Sequence, residues 1–130
     1  MPGCVLRVES KTTNVEPLLT TSGLQPIVVF RKRHPRAPGS THLNRRSGFN
    51  VDVSRADGDL DQQVRDAIGF LKRHAVGLSR LRREQRFGGM TLDFGVYTRT
   101  TEQRPWPSYR ISASLIELAG KHGIEIELSL

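Results

Sequence analysis

The closing stretch Gly123-Ile124-Glu125-Ile126-Glu127-Leu128-Ser129-Leu130, GIEIELSL, alternates without a break. Ile124, Ile126, Leu128 and Leu130 fall on one side, and Glu125, Glu127 and Ser129 on the other. Side chains on a strand point to opposite faces with period two, so this segment reads as a strand with one apolar and one solvated face. The same pattern recurs upstream. Cys4, Leu6 and Val8 alternate with Arg7 and Glu9. Phe49, Val51 and Val53 alternate with Asn50, Asp52 and Ser54. Leu92, Phe94 and Val96 alternate with Thr91, Asp93, Gly95 and Tyr97. A fifth segment, Ile27-Val28-Val29-Phe30, has no alternation and reads as a central strand or one covered on both faces.

Helical segments lie between these strands. Asn14 to Ser22 reads as a short helix, with Asn14 as cap, Pro17 in the first turn and Gly23 as terminator. A long helix starts near Asp59, with Gln62 three residues on as in a capping box. Leu60, Val64, Ala67, Ile68, Leu71, Ala75, Leu78 and Leu81 form its apolar stripe. Gly77 marks a kink, and Gly88-Gly89 ends the element. Ser112 caps a last helix through Leu115, Ile116, Leu118 and Ala119, which Gly123 stops.

The order is therefore β-α-β-β-α-β-α-β. One-sided strands imply helices on one face of the sheet and water, or a partner, on the other. The fold class is α+β: a single domain over residues 1–130 with a mainly antiparallel sheet and helices packed on one face, loosely ferredoxin-like. Two connections stand out, a basic loop at 31–46 and an irregular loop at 99–110 containing Pro105-Trp106-Pro107.

The net charge is +7, and Arg31, Lys32, Arg33, Arg36, Arg45 and Arg46 supply six of the seven with no acid among them. Charge confined to one loop points to a local role rather than to general polyanion binding. With Cys4 the sole cysteine, no disulfide within the chain is possible, and a cysteine-rich zinc site is excluded. No apolar run reaches the ~20 residues of a membrane span, and the first residues lack the pattern of a secretion signal. The expected compartment is the cytoplasm.

Catalytic patterns fail on inspection. Asp57-Gly58-Asp59-Leu60-Asp61 suggests a calcium loop, but Gln62 and Ile68 stand where the EF-hand needs Gly and Glu. Acid at a helix start explains it through the macrodipole. Asp93-Phe94-Gly95 spells a kinase tripeptide without the other kinase elements. His34, His42, His74 and His122 share no helical face, and Glu125 and Glu127 are solvated. No enzyme, metal or cofactor is expected. Arg80, Arg82, Arg83 and Arg86 at the end of the long helix suit its dipole.

Several stretches resemble one family: Glu16-Pro17-Leu18-Leu19, Ser22-Gly23-Leu24-Gln25-Pro26, His34-Pro35-Arg36, Ser47-Gly48-Phe49, the helix at Leu78 to Leu81, and the ending from Leu115 to Leu128. Together they resemble the small bacterial domains catalogued as domain of unknown function 4279, over nearly the whole chain. Phe49 departs from the family's tendency to Trp at that place. Members are short stand-alone proteins, and some look like immunity proteins of contact-dependent toxin systems. The resemblance thus implies a protein partner, a toxin or effector domain.

The residue reading agrees with a protein partner. The outward sheet positions are Arg7, Glu9, Asn50, Asp52, Thr91, Asp93, Tyr97, Glu125 and Glu127, an acidic face with one aromatic. Such a face repels a phosphate backbone and offers little for base stacking. A basic loop beside it fits a charged protein interface. The expected binding residues are Arg31, Lys32, Arg33, Arg36, Arg45 and Arg46, with Trp106 as an apolar anchor or, alternatively, a lid on the core. The rival is nucleic-acid binding by this loop together with Arg82 to Arg86. Homodimerisation through the sheet face or an edge strand is the third possibility.

Overall fold

The computed structural model describes residues 3–96, 102 and 108–130. Among these residues five strands and four helices follow in the order β1 (Cys4–Ser10), α1 (Glu16–Ser22), β2 (Val28–Phe30), β3 (Ser47–Ser54), α2 (Leu60–Arg73), α3 (Ala75–Arg83), β4 (Phe87–Gly95), α4 (Ala113–Lys121) and β5 (Ile124–Ser129). The strands form one sheet in the order β2-β3-β1-β4-β5. Pairing is antiparallel between β2 and β3, β3 and β1, and β1 and β4. It is parallel between β4 and β5, which α4 connects.

Alternation sorts the two faces as the sequence implies. Leu6 stands opposite Val51 on one side and Leu92 on the other, and Leu92 opposite Ile126. Leu6, Phe49, Leu92 and Phe94 lose all contact with solvent. Leu18 of α1, Leu71 of α2, Leu78 and Leu81 of α3, and Leu115 of α4 join them in one core. The described helices thus pack on one face of the sheet. Gln63 is buried among these apolar groups because its amide donates to the carbonyls of Ala56 (2.8 Å) and Gly95 (2.9 Å), tying α2 to the far end of β4. No helix among the described residues is long and apolar enough to cross a membrane.

Several local expectations are corrected. Ile27–Phe30 is not central: β2 is an edge strand, with Ile27 and Val28 about half exposed. Its run without alternation arises because Val29 faces the core while Phe30 lies over Gly48 on the outer face, where a glycine Cβ would come within 2.9 Å of the ring. The alternation of β3 is interrupted by a bulge at Val53: Val5 faces Asp52 and Cys4 faces Ser54, so Ser54 turns inward as well, while Val53 stays only partly buried against the core. The long helix bends at His74 (φ −105°, ψ 15°), not at Gly77. The bonds His74 N–H to Phe70 and Leu78 N–H to His74 carry the ladder through the bend. Gly77 serves close packing instead, since a Cβ there would overlap the Ser22 carbonyl oxygen of α1. Gly88 and Gly89 belong to β4, not to a helix end, and a register shift occurs where Gly88 passes Glu9 and Ser10.

Caps follow side-chain chemistry. Asp59 accepts the Gln62 N–H (3.1 Å) and Ser112 accepts that of Leu115 (3.3 Å), both as expected. Asn14 does not cap α1. Val15 occupies that position in a turn conformation, and the Asn14 carbonyl accepts the Thr12 hydroxyl (3.3 Å). Gly23 (φ 68°) ends α1 and Gly123 (φ 67°) follows α4, both left-handed.

Candidate functional site

Residues 31–46 connect the edge strand β2 to β3 and fold into a narrow ribbon rather than an open loop. Arg33 N–H donates to Asn44 (2.9 Å), Asn44 N–H to His34 (2.8 Å) and Arg36 N–H to His42 (2.9 Å), with Pro35 bridged to Leu43. The tip turns at Gly39 (φ 77°), where Ser40 N–H reaches the Ala37 carbonyl (3.0 Å). The base is pinned twice: Lys32 N–H donates to the Ser47 hydroxyl (2.8 Å), and the Asn44 amide donates to the Arg31 carbonyl (3.1 Å). Arg33 has φ 69°, the left-handed region that favours glycine.

The six cations fall into three groups. Arg31 pairs with Glu16 of α1 (3.0 Å), and Arg46 holds both oxygens of Glu9 on β1 (2.7 Å each). Lys32, Arg33, Arg36 and Arg45 have no carboxylate partner among the described residues and are exposed. The ribbon then separates them by side. Arg31 and Arg36 border a hollow of about 360 Å³ with Val29, Phe30, His34 and Pro35. Lys32, Arg33, Arg45 and Arg46 border a cleft of about 470 Å³ on the other side. Its opposite wall is the chain leaving β1, which brings Lys11, Ser10, Thr12 and Thr13 to the cleft.

Lys11 is a site residue that sequence reading missed. It stands alone in the chain, but Ser10 pairs with Ser47, so the continuation of β1 runs beside the chain that enters β3. That register was the only signal that could have found it. The Lys11 N–H also donates to the Arg86 carbonyl (2.7 Å), which sets the cleft beside the basic end of α3. There Arg82 donates to the Lys121 carbonyl at the end of α4 (2.9 Å), and Arg86 pairs with Glu84 (3.1 Å).

The outer sheet face carries the opposite sign. Arg7 sits at its centre, paired with Asp93 (2.7 Å) and Glu127 (3.3 Å), and Asp93 also accepts the Ser129 hydroxyl. Glu9, Glu125 and Glu127 line a hollow of about 390 Å³ over Gly88 and Gly89, with Thr91, Arg7 and Arg46. Arg46 therefore stands on the boundary between the acidic hollow and the basic cleft. Val5, Val28 and Phe30 share this outer face, so it holds an aromatic that was not among the outward positions read from the sequence. Tyr97, Trp106 and most of the 99–110 loop lie outside the described residues.

Candidate chemical groups are otherwise engaged. Cys4 is fully buried, and burial together with the nearby carboxylates of Asp93, Asp52 and Asp66 pushes its thiol far above the usual range, so it carries no nucleophilic thiolate. His122 is buried at the C-terminus of α4, and burial, with Lys121 and Arg82 close by, holds its pKa below the ordinary value. His74 packs its ring on Phe70 (4.5 Å between centroids) and is lowered likewise, by burial and Arg73. Asp66 is lowered because Ser54 (2.6 Å) and Gln62 (2.8 Å) donate to its carboxylate.

A family model described as a domain of unknown function (DUF4279) matches residues 2–130. No curated protein and no solved structure matches the chain.

Proposed function

The chain belongs to the DUF4279 family, and from that premise we propose that it is a non-catalytic, cytoplasmic protein-binding module that docks through opposed charge. What supports this most is the juxtaposition at Arg46: a ribbon with four cations lacking carboxylate partners among the described residues, set against a sheet face of carboxylates. Complementary patches of both signs steer encounter and fix register in protein complexes. The partner is a domain with matching acidic and basic patches, of the toxin or effector kind, and the role is that of an immunity protein.

The test is capture of the partner from the native host on the immobilised chain, compared with Arg33→Glu/Arg36→Glu/Arg45→Glu. Arg31 and Arg46 are left alone, because reversing them would set like charges against Glu16 and Glu9. Partner recovery should collapse in the triple variant. Equal recovery would remove the ribbon from the reading.

A second reading, nucleic-acid binding, draws support from the Lys11–Arg86 backbone bond, which joins the ribbon's cations to the basic helix end. It requires affinity that falls with salt by about one log-log unit per phosphate contact. A flat titration at low salt dismisses it.

A further inference from the structure

We propose that the cleft between residues 10–13 and the base of the ribbon binds a small ligand carrying clustered phosphates. Five cations border it: Lys11, Lys32, Arg33, Arg45 and Arg46. No carboxylate among the described residues lines it, whereas three glutamates line the adjoining hollow. Among the described residues Arg46 alone of the five has a carboxylate partner, Glu9, which leaves four positive charges facing one volume of about 470 Å³. Like charges gathered in one concavity raise the local potential and concentrate an anion there.

The charge count selects the ligand class. One phosphate ester carries about −1.5 to −2 at neutral pH, so it would leave the cleft half compensated. Two or three linked phosphates match it. Arginine supplies paired donors to phosphate oxygens, and lysine a point charge. Thr13 and Ser47 add hydroxyls at the wall. The Ser47 oxygen already accepts Lys32 N–H (2.8 Å), which leaves its O–H to donate.

Shape argues for a compact ligand over a continuing strand. The Arg46–Glu9 pair closes one side of the cleft, and beyond it lie Glu125 and Glu127. A polynucleotide leaving that way would carry its phosphates over carboxylates. The left-handed Arg33 fits the same reading, since a strained non-glycine residue persists where its side chain is needed.

This inference goes beyond protein docking, and the two separate experimentally. Calorimetric titration of the full chain with inorganic triphosphate, pyrophosphate and orthophosphate should give one-to-one binding, tightest for triphosphate and weakest for orthophosphate. Lys11→Ala should lose about tenfold in triphosphate affinity and Lys11→Ala/Arg45→Ala about a hundredfold, with ligand-free melting unchanged. Arg36→Ala and Arg83→Ala, outside the cleft, should bind as wild type does. Lys11→Ala should still capture the protein partner, so either reading can fail alone. Unaltered binding by the double variant, or equal loss in Arg36→Ala, would overturn the site. So would a single-stranded oligonucleotide of equal charge that binds more tightly than triphosphate.

Discussion

Replacing Gly77 by alanine should destabilise the protein, although the same change elsewhere in its helices should stabilise it. In an open helix interior, alanine gains about 1 kcal/mol over glycine from backbone entropy alone. Gly69 of α2 is such a place: an added Cβ meets only the Arg73 guanidinium at 3.5 Å, an ordinary contact with a flexible group. At Gly77 the Cβ would overlap the Ser22 carbonyl oxygen and stand 3.2 Å from its carbon. That carbonyl cannot rotate away cheaply. Ser22 ends α1, its hydroxyl bonds both the Leu19 carbonyl (3.1 Å) and the Leu24 N–H (3.2 Å), and Gly23 fixes the turn after it. Overpacking of this kind costs about 1–3 kcal/mol. Propensity offsets only part of that, so Gly77→Ala should lose about 1 kcal/mol while Gly69→Ala gains about as much. For a chain of this size each kcal/mol moves the melting midpoint by about 4 °C, so the two variants should melt about 8 °C apart on opposite sides of wild type. Urea and thermal unfolding followed by circular dichroism read both numbers. If Gly77→Ala is at least as stable as wild type, α1 and α3 are not in the backbone contact described above.

Other parts of the structure give further expected outcomes. Stability should be flat above about pH 6.5 and fall below it, because His122 and His74 have folded pKa values under the ordinary 6.5 and the unfolded chain takes up protons first. A second decline should begin below about pH 3.8, where lowered Asp66 becomes protonated in the unfolded chain first, and Ser54→Ala should shrink that second step and leave the first intact. Arg33→Gly should raise stability by up to about 1 kcal/mol, the relief of left-handed strain less the added chain entropy of glycine, while weakening triphosphate binding about tenfold; a less stable variant would show that the Arg33 side chain holds the ribbon itself.

What the sequence made legible was whatever burial writes into local periodicity. β1, β4 and β5 each present one face to the core, so Leu6, Leu92 and Ile126 carry the period of two that marks them. Caps were legible where a side chain reaches its own helix, as at Asp59 and Ser112. Place within the sheet was not, because strand order depends on pairings between distant residues. Apolar content at Ile27–Phe30 therefore suggested a centre where the chain has an edge, and the covering of Gly48 by Phe30 is a tertiary contact with no local trace.

The candidate site divides along the same line. A run of arginines is visible in any reading, but which of them are available is settled by acids far away in sequence. Arg31 is neutralised by Glu16 and Arg46 by Glu9, so a tally of six cations overstates the ribbon's free charge. The β1–β3 register then restores part of what these pairs remove, since Ser10 opposite Ser47 carries Lys11 to the ribbon's base. Glu9 is one residue earlier than Ser10 and points to the outer face, where it holds Arg46. One pairing thus builds the cleft wall and, through the neighbouring residue, the boundary that ends it. A change at Glu9 should therefore alter both surfaces together: Glu9→Gln would release Arg46 into the cleft and lower the charge of the acidic hollow. Triphosphate affinity should rise about severalfold while the fold is kept, and an affinity that stays the same would mean that Arg46 does not report to the cleft at all.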